Sequence, residues 1–181
     1  MRIIKTLLPY SGIVVLGAAL LAVRGGRIEL SGLLLCELII VFGYIAAVSD
    51  YKTKKIPNSI VTAMLAAWLF MITPLLFIST DSAVVSLIRS AAGFALGGGL
   101  FMLVYIVSRK GLGGGDVKFM AAAGLFLGPG GAVAAIFCGT LLAALTGAVL
   151  ILLKKIGRKD SIPLAPFLFA GIVITVFLGT L

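Results

Sequence analysis

The stretch Leu30-Ser-Gly-Leu-Leu-Leu-Cys-Glu-Leu-Ile-Ile-Val-Phe-Gly-Tyr-Ile-Ala-Ala-Val-Ser49 is a 20-residue apolar run with a single charge, and Asp50 ends it. A helix needs about 20 mostly apolar residues to cross the hydrocarbon of a bilayer. The run therefore predicts a membrane-spanning helix with a carboxylate at its end. A carboxylate at the edge of hydrocarbon is costly, and such residues are rare and usually functional. With six acidic residues and no histidine in the chain, Asp50 becomes the first candidate for chemistry.

Outward from this run, apolar segments predict seven candidate spans: 7–23, 30–49, 59–79, 83–107, 113–128, 131–153 and 163–180. Composition agrees. The 181 residues are 61% hydrophobic and 12% charged, with a mean hydropathy of +1.26. A soluble domain of this length could not hide so much apolar surface. The expected fold is all-α, a polytopic integral membrane helical bundle of about six to seven transmembrane helices. Residues 1–181 form one domain, to which helix 7–23 can be peripheral. The start, Met1-Arg2-Ile-Ile-Lys5 before an apolar run, also resembles a signal peptide. Arg24-Gly-Gly-Arg27 offers no clean small-x-small cleavage site, so an uncleaved first helix is preferred.

The net charge of +9 is not a nucleic-acid footprint, because the basic residues cluster in short loops between apolar runs. With the N-terminus inside, the cytoplasmic segments hold Arg2 and Lys5; Lys52, Lys54 and Lys55; Arg109, Lys110 and Lys118; and Lys154, Lys155, Arg158 and Lys159. Outside loops keep only Arg24 and Arg27, and Arg89 lies within the fourth span. This follows the positive-inside rule and predicts contact with anionic membrane lipids. Segment 113–128 is Gly-rich and could be re-entrant, but that would put Lys154 to Lys159 outside, so it is taken as a span. Asp50 and Asp116 then share the cytoplasmic side.

The other acidic residues have simpler accounts. Asp81 falls in an outer turn, Ser79 to Ser82; Asp160 lies in a basic loop; Glu29 lies in an outside loop. Glu37, two turns into the second span, is expected to pair with Arg89 or to sit protonated in the bundle. Cys36 and Cys138 lie in apolar runs without a C-x-x-C pattern and read as small buried hydrophobes. Without histidine, a zinc site is improbable and a Ser-His-Asp arrangement is excluded. Neither a metal nor a cofactor is expected.

Two constellations carry chemistry. In Asp50-Tyr-Lys-Thr-Lys-Lys-Ile-Pro57-Asn58, Pro57 halts the preceding helix and presets the next. Asn58 is a natural N-cap for the helix from Ser59, or a turn residue. The second is Gly113-Gly114-Gly115-Asp116-Val117-Lys118, an instance of GxGD. Its glycines lack Cβ and let another backbone approach, such as an extended peptide passing Asp116. Gly97-Gly98-Gly99 reads instead as close helix packing. Two carboxyls held together in a low-dielectric site cannot both ionise readily and share a proton. That is the apparatus of aspartic-protease hydrolysis.

D-x-x-x-x-x-I-P-N, G-x-G-D-V-K and Ile162-Pro163-Leu-Ala-Pro166-Phe167-Leu168 together resemble the three signatures of the type IV prepilin peptidases. The resemblance implies a polytopic aspartic endopeptidase with Asp50 and Asp116 as its catalytic pair. Gly113, Gly115, Lys118, Pro57 and Asn58 take supporting roles. It implies prepilin or pseudopilin substrates, cut after a glycine behind a basic leader, at the cytoplasmic face of the bacterial inner membrane. Larger members carry an N-terminal cytosolic domain with paired cysteines and N-methylate the new terminus. No C-x-x-C occurs here, so the chain resembles the short, peptidase-only form and methylation is predicted absent. Two rivals fit less well. Presenilin-like intramembrane proteases have Tyr before the first aspartate, where this chain has Ser49. A proton-coupled transporter would more often show internal repeats and broken helices near the midplane.

Overall fold

The apolar runs become helices because hydrocarbon offers backbone groups no partners except their own. A computed structural model describes residues 16–23, 30–108, 112–155, 157 and 162–179. These hold α1 (Leu30–Thr53), α2 (Asn58–Ile78), α3 (Thr80–Val107), α4 (Gly114–Leu152) and α5 (Ala165–Leu178). Residues 16–23 are also helical, within the expected first helix 7–23. The remainder of that helix lies outside the described residues, as do Arg24, Arg27, Glu29, Arg109, Lys110 and Asp160. Helices α1 to α4 are each long and apolar enough to cross a membrane; α5 is a shorter apolar helix. Large hydrophobic side chains such as Phe70, Phe77, Leu103, Val107 and Leu152 are exposed on the bundle. On a soluble protein such a surface would be a liability; against lipid tails it is the expected coat. The chain is a polytopic helical membrane bundle.

Helix α4 joins two of the expected spans, and it is not straight. A Cβ built on Gly97 would touch the Met120 carbonyl oxygen and lie 3.8 Å from the Ala132 Cβ. On a continuous helix Met120 and Ala132 would stand about 18 Å apart. The chain therefore doubles back between them, at Gly128, whose φ of 67° and ψ of −178° are non-helical. Glycine reaches that φ without the Cβ penalty. Pro129 follows, with no N–H to leave unpaired at the start of the second arm. The expected spans 113–128 and 131–153 are thus the two arms of a hairpin. Every residue from Phe119 to Gly128 in the first arm is buried, which makes it the axis of the bundle.

Without a hydrophobic force between helices in lipid, contact depends on close backbone approach at small residues. Gly93 of α3 and Gly124 of the first arm meet backbone to backbone, and a Cβ on either would collide with the other. Further out, Gly139 of the second arm packs on Leu168 of α5, and Gly171 on Ala135, so these two run antiparallel. Gly43 of α1 holds the Phe169 ring of α5. All these registers bring the end of α1, the start of α2, the end of α3, both ends of α4 and the start of α5 to one end of the molecule. Every described lysine (Lys52, Lys54, Lys55, Lys118, Lys154, Lys155) is at that end.

Three details depart from the sequence reading. Asp81 lies in the first turn of α3, not in a loop, because the α2–α3 connection shrinks to Ser79; a carboxylate there complements the helix dipole. Glu37 does not pair with Arg89. Its carboxyl sits over Gly17, whereas the Arg89 side chain lies along Gly128. Helix α2 begins at Asn58 itself, with Pro57 as its N-cap residue (φ −68°, ψ 144°) and no side-chain cap. Asn58 uses its side chain elsewhere.

Candidate active site

The first motif is built as a tight exit from α1. Lys54 adopts a left-handed φ of 52°, and its N–H donates to the Asp50 carbonyl at 2.7 Å. Ser49 and Thr53 place their hydroxyls 3.1 and 3.2 Å from the Lys55 carbonyl oxygen. The loop is thereby tied to the last turn that carries Asp50. Ile56 is turned inward and buried, whereas Lys52, Lys54 and Lys55 remain exposed.

The second motif docks on the first. A Cβ on Gly115 would lie 3.3 Å from both the Cβ and the carbonyl oxygen of Ile56, so the glycine lets the Gly-rich loop seat against the Ile-Pro-Asn turn. Lys118 Nζ donates to Asn58 Oδ1 at 3.1 Å and fastens the start of α4 to the start of α2. Asp116 lies in the first turn of α4, a position that favours negative charge. Its N–H donates to the Gly113 carbonyl at 3.1 Å. Its Oδ2 would lie 2.7 Å from a Cβ on Gly113, so that glycine is needed to make room for the carboxyl.

The third motif closes the site. The Ala165 N–H donates to Asp50 Oδ2 at 2.9 Å. Ala165 is the first residue of α5, where backbone N–H groups have no partner in their own helix. Asp50, otherwise buried, satisfies one of them from far away in the sequence. A helix N-terminus in turn stabilises a carboxylate placed against it. Nothing in the residue type of an alanine could have signalled this contact, although the surrounding Ile162 to Leu168 motif had marked the segment.

Asp50 and Asp116 thus stand at the same end of the bundle, on segments that pack against each other. Asp116 Oδ1 is buried and has no hydrogen-bond partner. Unpartnered buried polar atoms are uncommon in native proteins and call for an explanation. An oxygen waiting for a water, a substrate carbonyl or a shared proton is one. Gly113, Pro57 and Asn58 are exposed at the rim and Gly115 is partly covered. All seven residues marked in the sequence therefore converge on the same few turns.

The chain is similar to a prepilin leader peptidase/N-methyltransferase of Bacillus subtilis (strain 168), at 34% identity over 136 residues, covering 75% of this chain and 52% of the relative. The chain thus spans about half the length of that curated relative. No solved structure is a significant match. The profile of the type IV leader peptidase family matches residues 37–152. That is more than half of the chain and includes both aspartates and the loops that bring them together, and on this ground the chain belongs to the type IV leader peptidase family.

Proposed function

We propose that the protein is an aspartic endopeptidase that removes the basic leader of type IV prepilins or pseudopilins at the cytoplasmic face of the bacterial inner membrane. The observation that carries this reading is the convergence of Asp50 and Asp116, from distant segments, with a buried Asp116 oxygen left unpartnered. The exposed lysines at the same end support a cytoplasmic orientation.

In the proposed reaction the pilin's own apolar helix lies beside the bundle and leaves its leader junction at the Gly-rich loop. One carboxylate takes a proton from water as the water oxygen bonds to the scissile carbonyl carbon. The protonated partner donates to the carbonyl oxygen. Transfer of a proton to the amide nitrogen then releases the new pilin terminus as the C–N bond breaks. No metal or cofactor enters.

The test is cleavage of a prepilin with a basic leader by the purified protein in lipid, read by mass spectrometry. A single cut after the glycine preceding the mature helix is expected. It should be lost in both Asp50→Asn and Asp116→Asn, with helical content unchanged. Substantial turnover in both variants would remove the dyad from the mechanism.

A further inference from the structure

One cavity of the bundle lies away from the aspartates. A cavity of about 380 Å³ lies between the starts of α1 and α3, the second half of α2 and the Gly128 turn. Cys36, on its wall, is about 21 Å of helix away from Asp50. One part of the lining is apolar, with Leu35, Trp68, Ile72 and Phe126; the other is polar, with Ser86 and Arg89. Among the described residues, no acidic side chain lines it. Trp68 Nε1 donates to Ser90 Oγ at 3.2 Å, and the Ser90 hydroxyl donates in turn to the Leu125 carbonyl oxygen at 2.8 Å. That chain is complete, whereas no described side chain pairs with the Arg89 guanidinium. Arg89 lies more than two turns inside α3, and an arginine at that depth needs an anion or water beside it. Its stem is held against Gly128, where a Cβ would stand 2.9 Å from Nε. The absence of a Cβ at Gly128 therefore leaves room for the Arg89 side chain.

We infer that this cavity binds an anionic phospholipid, its phosphate on Arg89 and Ser86 and the start of an acyl chain along Leu35, Trp68 and Ile72. Donors without acceptors of opposite charge select an anion, and the continuous apolar wall selects an amphiphile over a free ion. The site sits at the end opposite the aspartates, so it meets the leaflet opposite theirs. It goes beyond the proposed cleavage and rests only on the membrane-spanning fold.

Trp68 is the single tryptophan of the chain and lines the cavity, so it reports occupancy directly. The protein is reconstituted in phosphatidylcholine vesicles containing brominated phosphatidylglycerol or, at the same fraction, brominated phosphatidylcholine. The anionic probe should quench Trp68 with a roughly fivefold preference, the factor expected for one basic side chain meeting an acidic headgroup. Arg89→Gln should abolish the preference and Arg89→Lys should keep most of it, with helical content confirming the fold of each. Equal quenching by the two lipids, or an unchanged preference in Arg89→Gln, would overturn the site. Relief of quenching by inorganic phosphate would show an anion site without lipid selectivity and overturn it equally. Asp50→Asn should retain the preference, and Arg89→Gln should still cut prepilin, so the lipid site and the peptidase reading fail separately.

Discussion

At the scale of single residues, Gly113 shows how a small group can govern a reactive one. Its φ of −72° and ψ of 134° suit any residue, so replacement by alanine brings no backbone strain. The added methyl would nevertheless lie 2.7 Å from Asp116 Oδ2. Displacing a reacting group by an ångström costs about 100-fold in rate. Gly113→Ala should accordingly lower kcat for prepilin cleavage by about 100-fold while thermal stability barely changes, a combination visible in paired kinetic and unfolding measurements. Asp50 and Asp116 were legible in the sequence because a carboxylate beside hydrocarbon has few bland explanations. The Asp50 partner was not, since every residue but proline offers a backbone N–H and the sequence does not say which one is used. Of the two accounts of Glu37, pairing with Arg89 failed for a related reason: opposite charges suggest pairing, but helix rotation decides which face each occupies.

At the scale of elements, the three motifs act as mutual supports. Lys118 and Asn58 join α4 to α2, Ile56 and Gly115 seat their loops, and Ala165 joins α5 to α1. An exposed side-chain hydrogen bond contributes little alone, and a double-mutant cycle of Asn58→Ala and Lys118→Met should give a coupling on the order of 0.5–1 kcal/mol in stability. If the bridge also sets the position of Asp116, kcat should fall more than stability does, and the two single variants should be non-additive in rate. Hydropathy alone marked α1 to α4, with 113–128 and 131–153 as the two arms of α4, whereas the expected span 163–180 is the shorter helix α5. That the chain reverses between the two arms depends on which helices meet Gly97, a fact of packing that local sequence does not carry.

At the scale of the whole molecule, the buried first arm of α4 sets the tolerance of the fold. Gly124→Ala would drive a methyl into the Gly93 backbone, where no flexible side chain can give way. Overpacking against backbone should cost about 3 kcal/mol or more, seen as a large loss of thermal stability with both aspartates intact. Orientation can be read the same way. In a variant lacking Cys36 and Cys138, a cysteine at Lys54 should react with a membrane-impermeant thiol reagent only from the cytoplasmic side. A cysteine at Asp81 should react only from the other. The reverse pattern would invert the placement of the site.

The Asp50–Ala165 hydrogen bond has a consequence for timing. Its two ends are separated by 115 residues, so a nascent chain emerging from the ribosome holds both aspartates well before it holds α5. Until that last helix inserts, Asp50 lacks its anchor and the centre is unassembled. Order of synthesis thus delays assembly of the two-aspartate centre until α5 is in place.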